Sequence, residues 1–304
     1  MRIRATVAAV SGALALSALA VPAAQADGPA PTRADVATIR QAAQAASAKA
    51  GSRVGGPYAL NVSFSDFKIA RTIKVGTTNR VSTSVTYTLT HGADVDIKAA
   101  DFITDPIIYR GSFTAPDAWL LGDKPAKCTA VTATTATCKG TVDIYPGPGV
   151  HDLVNTDAGA WKAAAEATAF NGQDPSAEEF DITEVGYRSQ SGLGGTTVQR
   201  YSKLTVNASP EPVKKGKPIT VTGKLSRANW EDNTYRGYTG QPVKLQFRKK
   251  GSDTYSTVRT VTTNSTGELR TTVTAAGDGY FRYSFAGTTT TPAVNATGDF
   301  VDVR

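Results

Sequence analysis

One methionine, two cysteines and two histidines are present in 304 residues. Each shortage removes a class of chemistry. His91 and His151 with a single cysteine pair are a poor basis for a four-ligand zinc site of the usual kind. No G-x-S-x-G, H-E-x-x-H or phosphate-cradling glycine loop occurs. The glycines of "SGLGGTT" precede an extended run instead of opening a helix. Both histidines fall in turn-like contexts, "LTHGAD" and "GPGVHDLVN", and read as surface groups. An extracellular hydrolase would need one of them as its base, so catalysis is not expected. After residue 50 no long apolar helical pattern is found, and Thr and Gly are abundant instead, as in an all-β chain.

The one long apolar run lies at the start. Arg2 and Arg4 precede the uncharged stretch Ala5 to Val21, and Pro22 stands ahead of Ala24-Gln25-Ala26. This is the pattern of a secretory signal peptide over residues 1–26. A soluble, exported protein is expected, with no second apolar stretch long enough to span a bilayer. Export bears on the cysteines. Outside the cytosol a lone pair of cysteines usually joins, and the spacing is not C-x-x-C. "CTAVTATTATC" alternates Thr, Ala and Val, which suits two short strands around a turn near Ala133. Cys128 and Cys138 are therefore read as a disulfide across a hairpin, in preference to a reactive thiol or a metal pair.

Charge is unevenly placed. From Tyr201 onward there are 15 Lys plus Arg against 8 Asp plus Glu, which accounts for the whole +7 of the chain. A basic C-terminal part can meet anionic polymers. Its lysines are spread over several strands, however, with dense runs only in "VKKGK" and "RKKG", and no nucleic-acid reading element is visible.

Periodicity divides the chain into four parts. Residues 27–56 form a linker or short helix, Ala-rich, with Val36 and Ile39 as a thin apolar face. Residues 57–196 alternate with period two, as where Val81, Thr83, Val85, Tyr87 and Leu89 share one face. "GAWKAAAEATAF" fits a strand or a helix, and its neighbours favour a strand. "SGLGGTTVQR" reads as a connector. Residues 201–304 contain seven short strands with glycine-bearing turns. Their expected core is Leu204, Val206, Ile219, Val221, Leu225, Val243, Leu245, Phe247, Val258, Val261, Leu269, Val273, Phe281, Tyr283 and Phe285. The fold class expected is all-β: two tandem immunoglobulin-like β-sandwich domains after a signal peptide and a short flexible or helical lead-in.

The second domain carries a resemblance. A "G-x-P-V-x-L"-like strand at "GQPVKL", the hairpin "TNSTGEL" and the aromatic strand "YFRYSFAG" resemble bacterial immunoglobulin-like modules. The chain from about residue 54 onward, cysteine hairpin included, is similar to a group of secreted actinobacterial (Streptomyces-type) two-domain proteins of undetermined function. Some members carry a generic calcium-binding label. The resemblance implies architecture and transfers no catalytic residue.

Two groups of residues stand out as candidate sites. "GADVDIKAADFITDP" is the richest acidic stretch, and Asp94, Asp96 and Asp101 are the candidate calcium ligands, although no D-x-D-x-D-G loop is present. In "RANWEDNTYRGYTG", read as a long loop, Trp230, Tyr235, Tyr238 and Arg236 are the candidate contacts for a ligand or partner. The alternative is that Trp230 and one tyrosine cap the core. The functional expectation is a secreted, non-enzymatic binding or structural protein of the cell envelope or extracellular space, with a cell-wall glycan or protein as partner. No cofactor is required, and a calcium-stabilised sandwich is the alternative.

Overall fold

A computed structural model describes residues 30–48, 55–147 and 153–304. The expected signal peptide and His151 lie outside the described residues. Among the described residues, no helix is long and apolar enough to cross a membrane.

The chain opens with α1 (Arg33–Ala48). The first sandwich follows, with β1 (Tyr58–Ala59), β2 (Val62–Lys68), β3 (Thr72–Val75), β4 (Val81–His91) and β5 (Phe102–Gly111). It continues through β6 (Pro116–Leu121), β7 (Lys127–Ala130), β8 (Thr135–Ile144), β9 (Gly159–Ala169) and β10 (Gly186–Arg200). One sheet runs β2-β4-β8-β7, and the other runs β1-β10-β9-β5-β6 with β3 also beside β10. The β3–β10 pairing is parallel. This is the A-B-E-D and A′-G-F-C-C′ arrangement of an immunoglobulin-like sandwich. Alternation in β4 buries Val85, Tyr87 and Leu89 and leaves Ser82 and Ser84 exposed, as period two requires.

The second sandwich comprises β11 (Ser202–Leu204), β12 (Asn207–Ser209), β13 (Pro218–Asn229), β14 (Thr234–Gly237) and β15 (Pro242–Lys249). It ends with β16 (Ser256–Thr262), β17 (Glu268–Thr274), β18 (Gly279–Phe285), β19 (Val294–Asn295) and β20 (Asp299–Val301). β13 is central to one sheet, pairing with β11, β12, β14 and β17, and β15 and β18 are central to the other. Ile219, Val221, Leu225, Val243, Leu245, Leu269, Phe281, Tyr283 and Phe285 form its core, with Val206, Phe247, Val261 and Val273 packed around them.

Several expectations are corrected. Val258 is 43% exposed, because it is the extra residue of a bulge where β16 pairs with β15. "SGLGGTTVQR" is no connector. It lies inside β10, where Gly192 and Gly194 take positive φ at an irregularity in the pairing with β9. "RANWEDNTYRGYTG" is no long loop, since β13 and β14 pair from Ser226–Gly237 to Asn229–Thr234 as a hairpin. "GAWKAAAEATAF", by contrast, is the strand that its neighbours led one to expect, over Gly159–Ala169.

Cys128 and Cys138 are directly opposite each other on β7 and β8 and are bonded. The bond clips the outer hairpin of one sheet instead of tying two sheets together. Free-thiol labelling of unreduced protein should find no thiol. Reduction should lower the unfolding free energy by about 3 kcal/mol at most, the loop-entropy value for so short a ring, read from denaturant curves with and without reductant.

Candidate functional site

Two strands of the first sandwich carry carboxylates on the face turned away from the core. On β9 the residues Ala165, Ala167 and Ala169 belong to the sandwich core, so Ala164 and Glu166 lie on the opposite face. On β5 the alternation places Asp105, Ile107 and Tyr109 on that same outer face. The register sets Asp105 directly opposite Glu166. Like charges in that relation repel, and each residue is only 1% exposed.

Helix α1 covers them. Arg33 Nη2 donates to Asp105 Oδ1 at 2.5 Å, and Arg40 Nε donates to Glu166 Oε2 at 2.8 Å. Arg40 Nη2 also donates to the other Glu166 oxygen, making a two-toothed pair. Tyr187 Oη on β10 donates to Glu166 Oε2 at 2.8 Å. The arginines are two helical turns apart on one face, with Val36 and Ile39 between them seated against Ile103, Phe170, Val185 and Tyr187. The lead-in is thus a docked helix, and β9 is buried on both faces. On β9 the positions turned to this outer side are Ala164, Glu166 and Thr168, while Ala165, Ala167 and Ala169 face the sandwich core.

A cavity of about 230 Å³ opens beside this pair, bounded by Arg40, Tyr109, Phe113, Trp119, Glu166 and Tyr187 among others. The Arg40 guanidinium lies 3.5 Å from the centre of the Trp119 ring. Burial pushes the Asp105 carboxyl up to about 8, with Arg33 opposing and Glu166 reinforcing the rise. Burial also raises the Tyr187 hydroxyl, and Glu166 adds to it. The arrangement sets two arginines on two buried carboxyl groups. Nothing in it sets a nucleophile against a base.

From the sequence, Asp105 stood out only as the last acid of "GADVDIKAADFITDP", and Glu166, Arg33, Arg40, Trp119 and Tyr187 were not singled out. A trace is there in hindsight: Glu166 is the lone acid of "AWKAAAEATA", and Asp105 the lone acid of "FITDPIIY".

The expected acidic site is differently placed. Asp94 and Asp96 follow β4 in a turn, not on a strand, so they do not share a strand face. Asp94 Oδ1 accepts from Asn61 Nδ2, Asp96 Oδ1 from the Lys98 amide and Asp101 Oδ2 from the Gly172 amide. Among the described residues no group of three or more His, Cys, Asp or Glu side chains is placed to hold a metal ion. His91 Nδ1 pairs with the Gly92 carbonyl beside it.

The aromatic hairpin faces inward, onto the other sandwich. Trp230 is 0% exposed and belongs to the first sandwich's core together with Ala228. Its indole N–H donates to the Gly76 carbonyl at 3.0 Å, and its backbone amide donates to Asn155 Oδ1 at 3.1 Å. Its ring face is therefore closed to an outside ligand; the contact it makes is with the neighbouring sandwich. Tyr235 lies under Lys203 at 3.7 Å, and Tyr238 packs edge-on to Phe285 with Arg227 over it at 3.8 Å. Arg236 is the exposed member of the four, salt-bridged to Asp232. The sandwiches are also tied through the backbone. The Tyr201 amide donates to the Val75 carbonyl and the Ala228 amide to the Tyr201 carbonyl, both at 2.8 Å.

Compared with known proteins, the chain matches no family model and no curated relative. It is similar to solved structures of tandem immunoglobulin-like domains. The titin fragment I67–I69 shares 12% identity at a TM-score of 0.31, over 81% of this chain and 66% of that one. The Escherichia coli adhesin FdeC shares 14% at 0.28, over 81% and 65%. The D00-D0 domains of intimin share 16% at 0.24, over 79% and 99%. The chain thus spans slightly under two thirds of the titin and FdeC chains. At these TM-scores no functional weight rests on the likeness; the fold is read from the strand pairing above.

Two measurements check this geometry. The unfolded chain ionises Asp105 near its ordinary value of about 3.9, and the folded chain near 8. Between those values the folded state holds the extra proton, so stability falls as pH rises, by up to about 1.4 kcal/mol per pH unit. Asp105→Asn should flatten that slope in urea unfolding between pH 5 and 8.5. Trp230→Ala should cost about 3–5 kcal/mol and split one unfolding transition into two, because the shared core between the sandwiches is lost.

Proposed function

We propose that this chain is an exported, non-enzymatic binding or structural protein of the cell envelope or extracellular space, in which two sandwiches act as one stiff unit. The observation that carries the reading is the joint: Trp230 of the second sandwich is wholly buried in the core of the first. A shared core resists the domain swinging that an unattached pair of modules would show. Surfaces on the two sandwiches are then held at a fixed spacing and orientation, which suits adhesion or spacing better than turnover. The Cys128–Cys138 bond supports an oxidising compartment. The apolar run at residues 5–21 supports export, with a mature chain starting at Asp27.

The partner proposed is a cell-wall glycan or a surface protein. Expression with the native N-terminus should place the protein in the medium or wall fraction. Mass spectrometry should read Asp27 as the first residue, and purified protein should sediment with isolated cell walls. Retention in the cytosol with two free thiols, or no sedimentation with walls, would overturn the proposal. Thermal unfolding in EDTA and across a calcium titration should show no change in midpoint. A saturable rise with calcium and not magnesium would instead favour the ion-stabilised reading at Asp94, Asp96 and Asp101.

A further inference from the structure

The second sandwich presents a row of stacked cations on its outer face. In β15 and β18 Leu245, Phe281, Tyr283 and Phe285 point into the core, with Phe247 packed against them. The alternate positions therefore point out: Lys244, Gln246 and Arg248 on β15, and Tyr280, Arg282 and Ser284 on β18. None of them is acidic. Arg248 stands opposite Tyr280, and Gln246 opposite Arg282.

The arginines are held by rings and amides, not by carboxylates. The Arg248 guanidinium lies 4.2 Å from the Tyr280 ring centre and 5.3 Å from that of Tyr255, and the Arg282 guanidinium lies 3.8 Å from Tyr255. Both cations thus flank a single tyrosine and sit within about 9 Å of each other. The Tyr255 hydroxyl lies over Gly298, where the absence of a side chain leaves room for it. Arg282 Nε donates to Gln246 Oε1 at 2.8 Å, and Arg248 Nη1 donates to the Ser252 carbonyl at 2.5 Å. Among the described residues neither forms a salt bridge, whereas Arg33, Arg40, Arg80 and Arg110 all do. Two acids lie at the margin: Asp278 is paired with Lys250, and Asp253 is in the loop that carries Tyr255.

We propose that this face binds an anionic polysaccharide whose carboxylates are received by Arg248 and Arg282. This rests on the reading of the protein as an envelope-binding module and names the ligand class. Stacking on tyrosine fixes each guanidinium plane and leaves its remaining N–H groups facing solvent, so little side-chain freedom is lost when a carboxylate arrives. A flat sheet face suits an extended polymer. Nucleic acid fits less well, because its bases need open ring faces, and here cations cover those faces.

The test uses the mature chain on immobilised polygalacturonate, with dextran, polyglutamate and single-stranded DNA as comparison polymers. Retention on polygalacturonate is expected, with none on dextran and weaker retention on polyglutamate and DNA. Arg248→Gln with Arg282→Gln should weaken affinity about tenfold, as for two charge-assisted contacts at an exposed site. Lys214→Gln with Lys215→Gln removes the same charge in the turn between β12 and β13, outside these two strands, and should change it little. Equal weakening by both pairs, no weakening by either, or tighter binding to DNA or polyglutamate would overturn the proposal. Unchanged thermal midpoints would show that the variants are folded. Sedimentation with walls that survives Arg248→Gln with Arg282→Gln would refute this surface while leaving the envelope reading standing. Loss of wall binding by the unaltered protein would remove that reading itself.

Discussion

Two carboxylates set opposite each other on adjacent strands, Asp105 and Glu166, impose a condition that the first sandwich cannot meet alone. Buried like charges need opposite charge brought to them, or protons. Arg33 and Arg40 deliver it from one face of α1, and much of the first sandwich's outer face follows from that demand. On β9, Glu166 is turned to the helix, while Ala165, Ala167 and Ala169 fill the space between the two sheets. Arg40 must be oriented, so Trp119 lies under its guanidinium and Tyr187 completes the hydrogen bonding of Glu166. An Ala-rich segment of modest apolar character becomes an integral third layer over the sheet.

Most of the strand pattern could be read from period two, because one face of each sheet is core and the other is solvent. The cysteine hairpin was legible for the same reason: Thr, Ala and Val alternate on both arms. β9 was read as a strand from its neighbours alone, because cover on both sides suppresses its alternation and its alanines would also suit a helix. Other features escaped reading. Gly192 and Gly194 look like a linker, yet they serve an irregularity within a long strand. The candidate site at α1 depends on strand register, which brings together Asp105 and Glu166 from 61 residues apart in the chain. The aromatic stretch was read as a loop, and whether Trp230 faced water or a second domain depended on domain placement, which no local pattern encodes.

The two sandwiches divide their charges in different ways. In the first, arginines are spent on internal carboxylates. In the second, Arg248 and Arg282 are steadied by tyrosine rings and keep their N–H groups outward. The uneven net charge along the chain therefore has a structural counterpart, with cations neutralised where they hold the fold and left open on the far sheet.

Only Tyr201 separates the last strand of the first sandwich from the first strand of the second, and its amide and carbonyl are both bonded across the joint. Such a connector has no slack and stores no entropic spring. Tension applied along the chain would pass straight from β10 into β11, without a soft element to stretch first. The joint would behave as a stiff coupling, yielding only when the indole leaves its seat. Applied load would then open the molecule at one defined point.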